Sequence, residues 1–215
     1  MTLSHDPHWL RAGNWLTEVS QADFAIVGVG ASKSALTPNN AHSTPAAVRS
    51  ALLRYSTWSS STKVDLADSL KGGDFGDVKS PDDQEATISE LSNLLNKTKT
   101  LVLIGGDNSI TYSGVLALSK KNDVKEIGVI TLDAHHDLRD GKSNGSPIKQ
   151  LVDADLIVVT KRCLDTGSPA SNVDRLTPGV VTSVSLPSDT RAPGGSDTRA
   201  PCDSGRSRPA RADYW

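Results

Sequence analysis

Short apolar runs and stretches of helical periodicity alternate along much of the chain. Three runs are continuously apolar and rich in Val, Ile and Leu, which is typical of strands buried on both faces. They cover residues 24–30, 100–104 and 127–132. Shorter runs predict further strands at residues 64–66, 156–160 and 180–184. The Gly- and Asp-rich residues 71–83 predict a loop.

Between these runs, apolar side chains recur at intervals of three and four positions, which predicts amphipathic helices. The helices cover residues 45–55, 84–96 and 110–121. Thr44 is the expected N-cap of the first helix and Pro45 its first residue, where a missing backbone N–H costs nothing. Strands that alternate with helices predict an α/β domain with a mainly parallel sheet.

The last two long strands and the helix between them form a βαβ unit, so these two strands are expected to be parallel. In such sheets, ligands bind beyond the carboxyl ends of the strands. Two polar loops follow those ends, Gly105-Gly106-Asp107-Asn108-Ser109 and Asp133-Ala134-His135-His136-Asp137. The sequence therefore predicts a binding site at this edge of the sheet.

The second loop has metal-binding side chains at alternating positions. Asp133, His135 and Asp137 face one way if the backbone stays extended, because strand side chains repeat every two residues. His136 then points away. Carboxylate and imidazole groups suit a divalent cation such as Mn²⁺. The other interpretation is a charged loop after a strand, and the presence of both polar loops favours metal binding.

The two loops, in this order and spacing, resemble the Gly-Gly-Asp-His-Ser and Asp-Ala-His-x-Asp motifs of the ureohydrolase (arginase–agmatinase) superfamily. Residues 42–49 and 133–151 resemble its formiminoglutamase branch, and the resemblance fades after residue 155. It implies a three-layer α/β/α fold with a parallel sheet. It also implies two manganese ions at the carboxyl edge of that sheet, which activate a bridging hydroxide.

Carried over to this chain, the resemblance implies that Asp133 bridges both ions, His135 binds one and Asp137 the other. Asn108 stands where the superfamily usually has a histidine ligand, and an amide oxygen coordinates manganese more weakly than imidazole does. The family also has a later strand that ends in Asp-x-Asp. No such pair follows Leu156, and residues 153–155 have this spacing but precede their apolar run. The C-terminal strands and half of the metal site are therefore expected to be incomplete.

Five further residues are candidates for roles around the metal ions. Arg139 is either a surface arginine or a bidentate partner for a substrate carboxylate. Ser143, Asn144 and Gly145 are turn formers and candidate substrate contacts. Asp107 is either a cap for backbone amides or a support for the metal ligands. Residues 143–147 lack the histidine that arginases use as a proton shuttle, which weighs against an arginase.

Composition limits the classes of partner. The 215 residues have a net charge of −2, which gives no indication of nucleic-acid binding. No apolar run approaches the roughly 20 residues of a membrane helix. No secretion signal is readable at the N-terminus, and the isolated Cys163 and Cys202 predict neither a disulfide nor a zinc site. A cytoplasmic enzyme with a small-molecule substrate is expected, and relatives that form homo-oligomers leave its oligomeric state open.

The last part of the chain differs from the rest. From Leu186 onward, Pro, Gly, Ser, Asp and Arg predominate, and the segment Ser-Asp-Thr-Arg-Ala-Pro occurs twice. Such a segment buries too little apolar surface to offset its ordering entropy, which predicts disorder. The expected organisation is an arginase-like α/β domain at residues 1–160, a partly ordered segment at 161–185 and a disordered tail at 186–215.

Three functional hypotheses follow. The first is a manganese-dependent hydrolase that converts N-formimino-L-glutamate to L-glutamate and formamide in histidine degradation. The second is an agmatinase or another guanidine hydrolase. The third is a truncated, non-catalytic remnant of this family, because the last metal-ligand motif is missing.

Overall fold

The computed structural model of this protein describes residues 9–122, 127–133 and 135–157, together with the backbone of residues 181–184. The helices are α1 Ala12–Trp15, α2 Thr44–Leu52, α3 Leu66–Ser69, α4 Gln84–Leu95, α5 Ile110–Asn122 and α6 Pro147–Asp153. The strands are β1 Ala22–Val29, β2 Trp58–Ser59, β3 Val64–Asp65, β4 Gly72–Asp77, β5 Thr98–Gly105, β6 Val129–Leu132 and β7 Val181–Val184.

A three-stranded parallel sheet in the order β4-β1-β5 forms the centre of the fold. The pairing of β1 with β5 runs from Ala22 opposite Thr98 to Val29 opposite Gly105. Both strands therefore end at the same edge of the sheet. The loops that follow them begin side by side, as the predicted parallel arrangement requires.

Helices cover both faces of this sheet. On one face, Ile26 and Ile104 pack with Val48 and Leu52 of α2. On the other face, Val27 and Val29 form a core with side chains of α4 and α5. Successive residues of β1 thus point to opposite helical layers, which explains why the strand is apolar from Phe24 onward. The predicted three-layer α/β/α architecture is confirmed.

The loop predicted at residues 71–83 is wrong for its first half, because Gly72–Asp77 form β4. Glycine and aspartate have low strand propensity, but tertiary contacts override it here. A Cβ atom on Gly72 would lie 2.5 Å from the Trp15 ring, so a larger residue cannot occupy this position. Arg49 of α2 binds Asp74 through two hydrogen bonds of 2.7 and 2.9 Å, which holds β4 against the helical layer.

Three helix ends differ from the predictions by one residue, including that of α5 at Asn122, and the first helix ends at Leu52 instead of the expected Tyr55. The first predicted helix begins at Thr44, and Ser43 takes the N-cap position without a side-chain capping bond. The second ends at Leu95, with Asn96 as its C-cap. Its N-cap is Asp83, whose carboxylate accepts hydrogen bonds from the backbone N–H groups of Glu85 and Ala86.

Strand β6 pairs in parallel with β7, from Val129 opposite Val181 to Leu132 opposite Val184. The strand predicted at residues 180–184 is thus confirmed from residue 181 onward. In the described part of the chain, β6 has no hydrogen bonds to the three-stranded sheet, so the expected βαβ unit is not closed by strand pairing.

Residues 153–157 also differ from expectation. Leu156 and Ile157 are not part of a strand and pack instead against a second core of Val115, Ile127, Ile148 and Leu151. Residues 158–160 of the predicted strand, and the segments proposed for residues 161–185 and 186–215, lie outside the described residues apart from β7. No described helix is long and apolar enough to cross a membrane.

Candidate metal centre

Loops from four parts of the chain meet at the carboxyl edge of the sheet. In the loop after β1, the Ala31 carbonyl accepts a 2.7 Å hydrogen bond from the Asp107 N–H in the loop after β5. Asp82, beyond β4, accepts hydrogen bonds of 2.8 Å from the backbone N–H groups of Ser32 and Lys33. The loop after β6 joins them, because the Asn144 N–H donates to the Ser34 carbonyl at 3.1 Å.

The approach of the loops after β1 and β5 depends on a glycine. A Cβ atom on Gly106 would lie 1.9 Å from the Ala31 carbonyl oxygen, a separation that no side chain tolerates. The Gly106 N–H donates to the Val29 carbonyl at 2.9 Å, which fixes the backbone at this point. The second glycine of the Gly-Gly-Asp motif is therefore required by backbone packing.

Asp107 acts as an acceptor for nearby hydrogen-bond donors. It is 8% exposed. Its Oδ1 accepts from the backbone N–H and the hydroxyl of Ser109, and its Oδ2 accepts from the Ser34 hydroxyl at 2.9 Å. The capping role considered for Asp107 is thus present, and its support for metal ligands stays a prediction.

Asn108 links the two polar loops. Its Nδ2 donates a 2.6 Å hydrogen bond to Oδ2 of Asp137, a contact that spans 29 residues of chain. Its Oδ1, the atom suited to bind a cation, accepts from the Thr111 hydroxyl at 2.8 Å. The amide therefore turns its nitrogen toward Asp137, and the predicted role of Asn108 as a metal ligand would require another orientation.

The backbone does not stay extended past Leu132, so the expected alternation of the three ligand candidates is absent. Asp137 adopts a φ of 52°, in the left-handed region. The His135 side chain is 80% exposed, whereas that of Asp133 is 14% exposed. Asp133 Oδ1 accepts from the His135 N–H at 2.9 Å and lies 3.2 Å from His135 Nδ1. His136 is exposed, and its expected orientation away from a metal ion stays a prediction.

Two neighbouring carboxylates dominate the electrostatics of the candidate centre. Burial of Asp137, followed by the negative charge of Asp133, raises the pKa of the Asp137 carboxyl group. The hydrogen bond from Asn108 acts in the opposite direction but does not cancel this rise. A cation placed between these carboxylates would offset both the cost of burying the negative charge of Asp137 and its repulsion by Asp133.

The donor set of Asp133, Asp137 and His135 fits a manganese ion in its chemistry, because it combines two carboxylates with one imidazole. Its arrangement is not yet that of a closed site. Within the described ranges, no group of three His, Cys, Asp or Glu side chains is close enough to hold a metal ion. Asp153 and Asp155 do not add to the centre, since Asp153 ends α6 and pairs with Lys149 at 2.8 Å.

The four candidate substrate residues share one loop between β6 and α6. The Arg139 N–H donates to the Gly145 carbonyl at 3.1 Å, and a Cβ atom on Gly145 would lie 3.1 Å from Arg139 Cδ. The hydroxyl groups of Ser143 and Ser146 lie 2.8 Å apart and close the turn. Among the described residues, no carboxylate forms an ion pair with the exposed Arg139 guanidinium, which makes it accessible to an anion.

The sequence pattern did not indicate Ser34, Asp82 or Thr111, all of which hold this edge together. The rule that selected the loops after residues 104 and 132 also applies to the loop after the first strand. Residues 31–34 lie directly after that strand. Ser34 could therefore have been found from its place in the loop after the first strand. Its residue type alone gave no indication, because serine is common in loops of every kind.

Comparisons with known proteins agree with this fold. A family model described as "Arginase family" matches residues 22–168. A formimidoylglutamase from Halalkalibacterium halodurans is 34% identical over 146 residues, which cover 63% of this chain and 45% of that protein. The chain thus spans about half the length of the curated relatives it matches.

Solved structures show the same relationship. The crystal structure of formimidoylglutamase from Bacillus subtilis has a TM-score of 0.61 and 26% identity, covering 73% of this chain and 52% of that one. A Trypanosoma cruzi formiminoglutamase with Mn²⁺ has a TM-score of 0.59 and 26% identity, covering 67% and 53%.

Proposed function

This chain belongs to the arginase family, and we propose that it hydrolyses a C–N bond of a linear amidine with the aid of manganese. The proposed substrate is N-formimino-L-glutamate, and the products are L-glutamate and formamide. The formimidoylglutamases among its relatives support this choice of substrate. The absence of an arginase-type proton-shuttle histidine from residues 143–147 agrees with it.

The observation that carries the proposal is the hydrogen bond between Asn108 and Asp137. Two loops that follow different strands supply these residues, and the family motifs predict that both loops serve one centre. The bond brings the loops together at the carboxyl edge, where parallel sheets bind ligands. Metal ligands and substrate loop are thereby adjacent, since Arg139 follows Asp137 by two residues.

In this proposal Asp133, His135 and Asp137 hold manganese. A bound manganese ion would lower the pKa of a coordinated water, which supplies a nucleophile near neutral pH. Asn108 orients the Asp137 carboxylate through its 2.6 Å hydrogen bond. Thr111 fixes the Asn108 amide from the other side. The chain therefore presents one carboxylate in a defined orientation before metal binds.

Arg139 is proposed to bind a carboxylate group of the substrate. Its guanidinium is exposed and has no ion-pair partner in the described part of the chain, and its backbone is fixed by Gly145. A guanidinium can hold a carboxylate through two parallel hydrogen bonds. Such a site favours an anionic formimino-amino acid over the cationic substrate of an agmatinase.

A formamide-release assay with the full chain and Mn²⁺ tests the proposal. Turnover of N-formimino-L-glutamate is expected for the natural chain, with a rise in KM for Arg139→Ala and a smaller rise for Arg139→Lys. Lys142→Ala is the matched control, because Lys142 is an exposed cation in the same loop. A folded, metal-loaded protein without turnover would contradict catalysis and favour a non-catalytic member of the family.

The second candidate is a guanidine hydrolase, which the agmatinase of Pyrococcus horikoshii supports with 27% identity over 129 residues. Agmatine in the same assay separates the two candidates. Turnover of agmatine that is unaffected or improved by Arg139→Ala would overturn the anionic-substrate proposal, because a cationic substrate gains nothing from the guanidinium.

A further inference from the structure

Ser34 is hydrogen-bonded to the loop after β5 and to the proposed substrate loop after β6. Its hydroxyl donates to Oδ2 of Asp107 at 2.9 Å, next to Asn108 in the loop after β5. Its carbonyl accepts from the Asn144 N–H at 3.1 Å, in the proposed substrate loop. A single residue after β1 is therefore hydrogen-bonded to the loop that orients a proposed metal ligand and to the loop that carries Arg139.

These contacts complete a closed circuit. From Asp107 the chain leads to Asn108, which donates to Asp137 at 2.6 Å. From Asp137 the chain leads to Arg139, whose N–H donates to the Gly145 carbonyl at 3.1 Å. Asn144, the neighbour of Gly145, returns the circuit to Ser34. Each loop is thus held in register by two others.

We infer that Ser34 is a positioning residue that couples the proposed metal ligand Asp137 to the proposed substrate loop at residues 139–145. This inference rests on the proposed function for its catalytic meaning, but not for its structural test. Among the described residues, Ser34 has no hydrogen bond to Asp137 or Arg139, and it acts through Asp107 and Asn144.

The physical basis is the burial of Asp107. Asp107 is 8% exposed, and within the described residues the only donor to its Oδ2 is the Ser34 hydroxyl. Loss of that donor leaves a buried, charged oxygen unsatisfied, which is costlier than loss of an exposed hydrogen bond. The loop is also anchored one and two residues before Ser34, since Asp82 accepts from the backbone N–H groups of Lys33 and Ser32. Removal of the hydroxyl should therefore loosen the circuit without detaching the loop after β1.

Hydrogen exchange of the metal-free full chain provides the direct test. Ser34→Ala is expected to speed amide exchange at residues 105–111 by about fivefold or more, because Asp107 loses its bond to the Ser34 hydroxyl. Exchange at residues 139–146 should also rise, because the Ser34 carbonyl that holds Asn144 is then positioned less firmly. Ser34→Thr keeps the hydroxyl and should restore slow exchange. Ser32→Ala is the matched control, because its hydroxyl makes no hydrogen bond within the described residues. Exchange in Ser34→Ala that equals that of the natural chain would overturn the inference.

A second measurement connects the circuit to the proposed chemistry. In Mn²⁺ titrations, Ser34→Ala is expected to bind the ion about tenfold more weakly than the natural chain does. Ser34→Thr, which keeps the hydroxyl, should bind it about as tightly as the natural chain. The variant should also raise KM for N-formimino-L-glutamate more than it lowers kcat. Unchanged Mn²⁺ affinity and KM in a folded Ser34→Ala variant would overturn the coupling.

The two measurements separate failure of the inference from failure of the proposed function. If the natural chain binds no Mn²⁺, the proposed function fails, while the exchange experiment still decides the role of Ser34. If Ser34→Ala does not fold, Ser34→Thr and Ser34→Val ask the same question with side chains of equal shape. Faster exchange in the valine variant alone supports the inference, and equal exchange in both overturns it.

Discussion

Strands β1 and β6 have similarly apolar sequences but very different surroundings. Val27 and Val29 of β1 are 0% exposed, because α4 and α5 cover their face of the sheet. Ile130 and Leu132 of β6 are 46% and 61% exposed. The described part of the chain thus covers β1 with two helical layers and leaves much of β6 uncovered. An apolar run predicts that a strand forms, but the burial of that strand depends on the elements around it.

The largest expected effect tests this contrast through two leucines. Leu91 of α4 is 0% exposed in the core beside β1, so Leu91→Ala should destabilise the protein by about 3 kcal/mol. Leu132→Ala removes the same atoms from an exposed site and should cost at most about 0.5 kcal/mol. Urea denaturation of both variants measures the difference. Equal losses would mean that β6 is covered as fully as β1.

The next effect concerns the hydrogen bonds from Arg49 that attach α2 to β4. Arg49 makes two hydrogen bonds to Asp74 and one of 2.6 Å to Asp77, with side-chain exposures of 25% for Arg49 and 19% for Asp74. Arg49→Ala should reduce stability by about 1–2 kcal/mol, because the charge-assisted bonds are partly screened by solvent. Lys99→Ala removes an exposed ion pair with Asp23 and is the control, for which little change is expected. A larger loss in the control would contradict the role assigned to burial.

The fold was predictable where local pattern and tertiary environment agree. Strands β1 and β5 and helices α2 and α4 follow directly from apolar periodicity, whereas α3 was not predicted. Strand β4 was not predictable, because Gly72 and Gly73 signal a loop until Trp15 is known to lie against Gly72. Its stability comes from a tryptophan and an arginine that are distant in sequence, and no local rule contains that information.

The candidate site divides in the same way. Its position at the carboxyl edge followed from strand order, and the structure brings Asn108 and Asp137 together there. The extended backbone expected after Leu132 was wrong, since Asp137 has a φ of 52°. A motif gives the spacing of ligands but not the backbone turn between them. Ser34 was missed because its role depends on two loops that meet only in the folded chain.

The third prediction concerns the effect of Asn108 on Mn²⁺ affinity at the carboxyl edge of the sheet. Asn108→His should strengthen Mn²⁺ binding by about tenfold, because imidazole is a better manganese ligand than an amide oxygen that already accepts from Thr111. Asn108→Ala is the control and should weaken binding, since it removes the donor that orients Asp137. Calorimetric titration measures both affinities. Weaker binding by the histidine variant would mean that the hydrogen bond to Asp137 matters more than a further ligand.

The smallest expected effect concerns the buried charge of Asp137. Burial and the charge of Asp133 raise the pKa of its carboxyl group, so the folded protein binds this proton more tightly than the unfolded chain does. Protonation therefore favours folding. This contribution is fully present below the ordinary carboxyl pKa and is lost as the pH rises through the raised value. Near pH 7 without metal, the ionised carboxylate should make the natural chain slightly less stable than an Asp137→Asn variant.

With Mn²⁺ bound, the natural chain should become more stable than Asp137→Asn. The cation compensates the negative charge of Asp137, and the amide of the asparagine variant binds it more weakly than a carboxylate does. Thermal denaturation with EDTA and with Mn²⁺ at pH 7 is expected to show opposite signs for Asp137→Asn, with a smaller difference at acid pH. Asp140→Asn is the matched control, since Asp140 lies in the same loop with a 97% exposed side chain. A variant that is less stable than the natural chain under both conditions would mean that the bond from Asn108 outweighs the burial of charge. The exposed edge would then owe its geometry to hydrogen bonding alone, and a cation would have little electrostatic strain to relieve there.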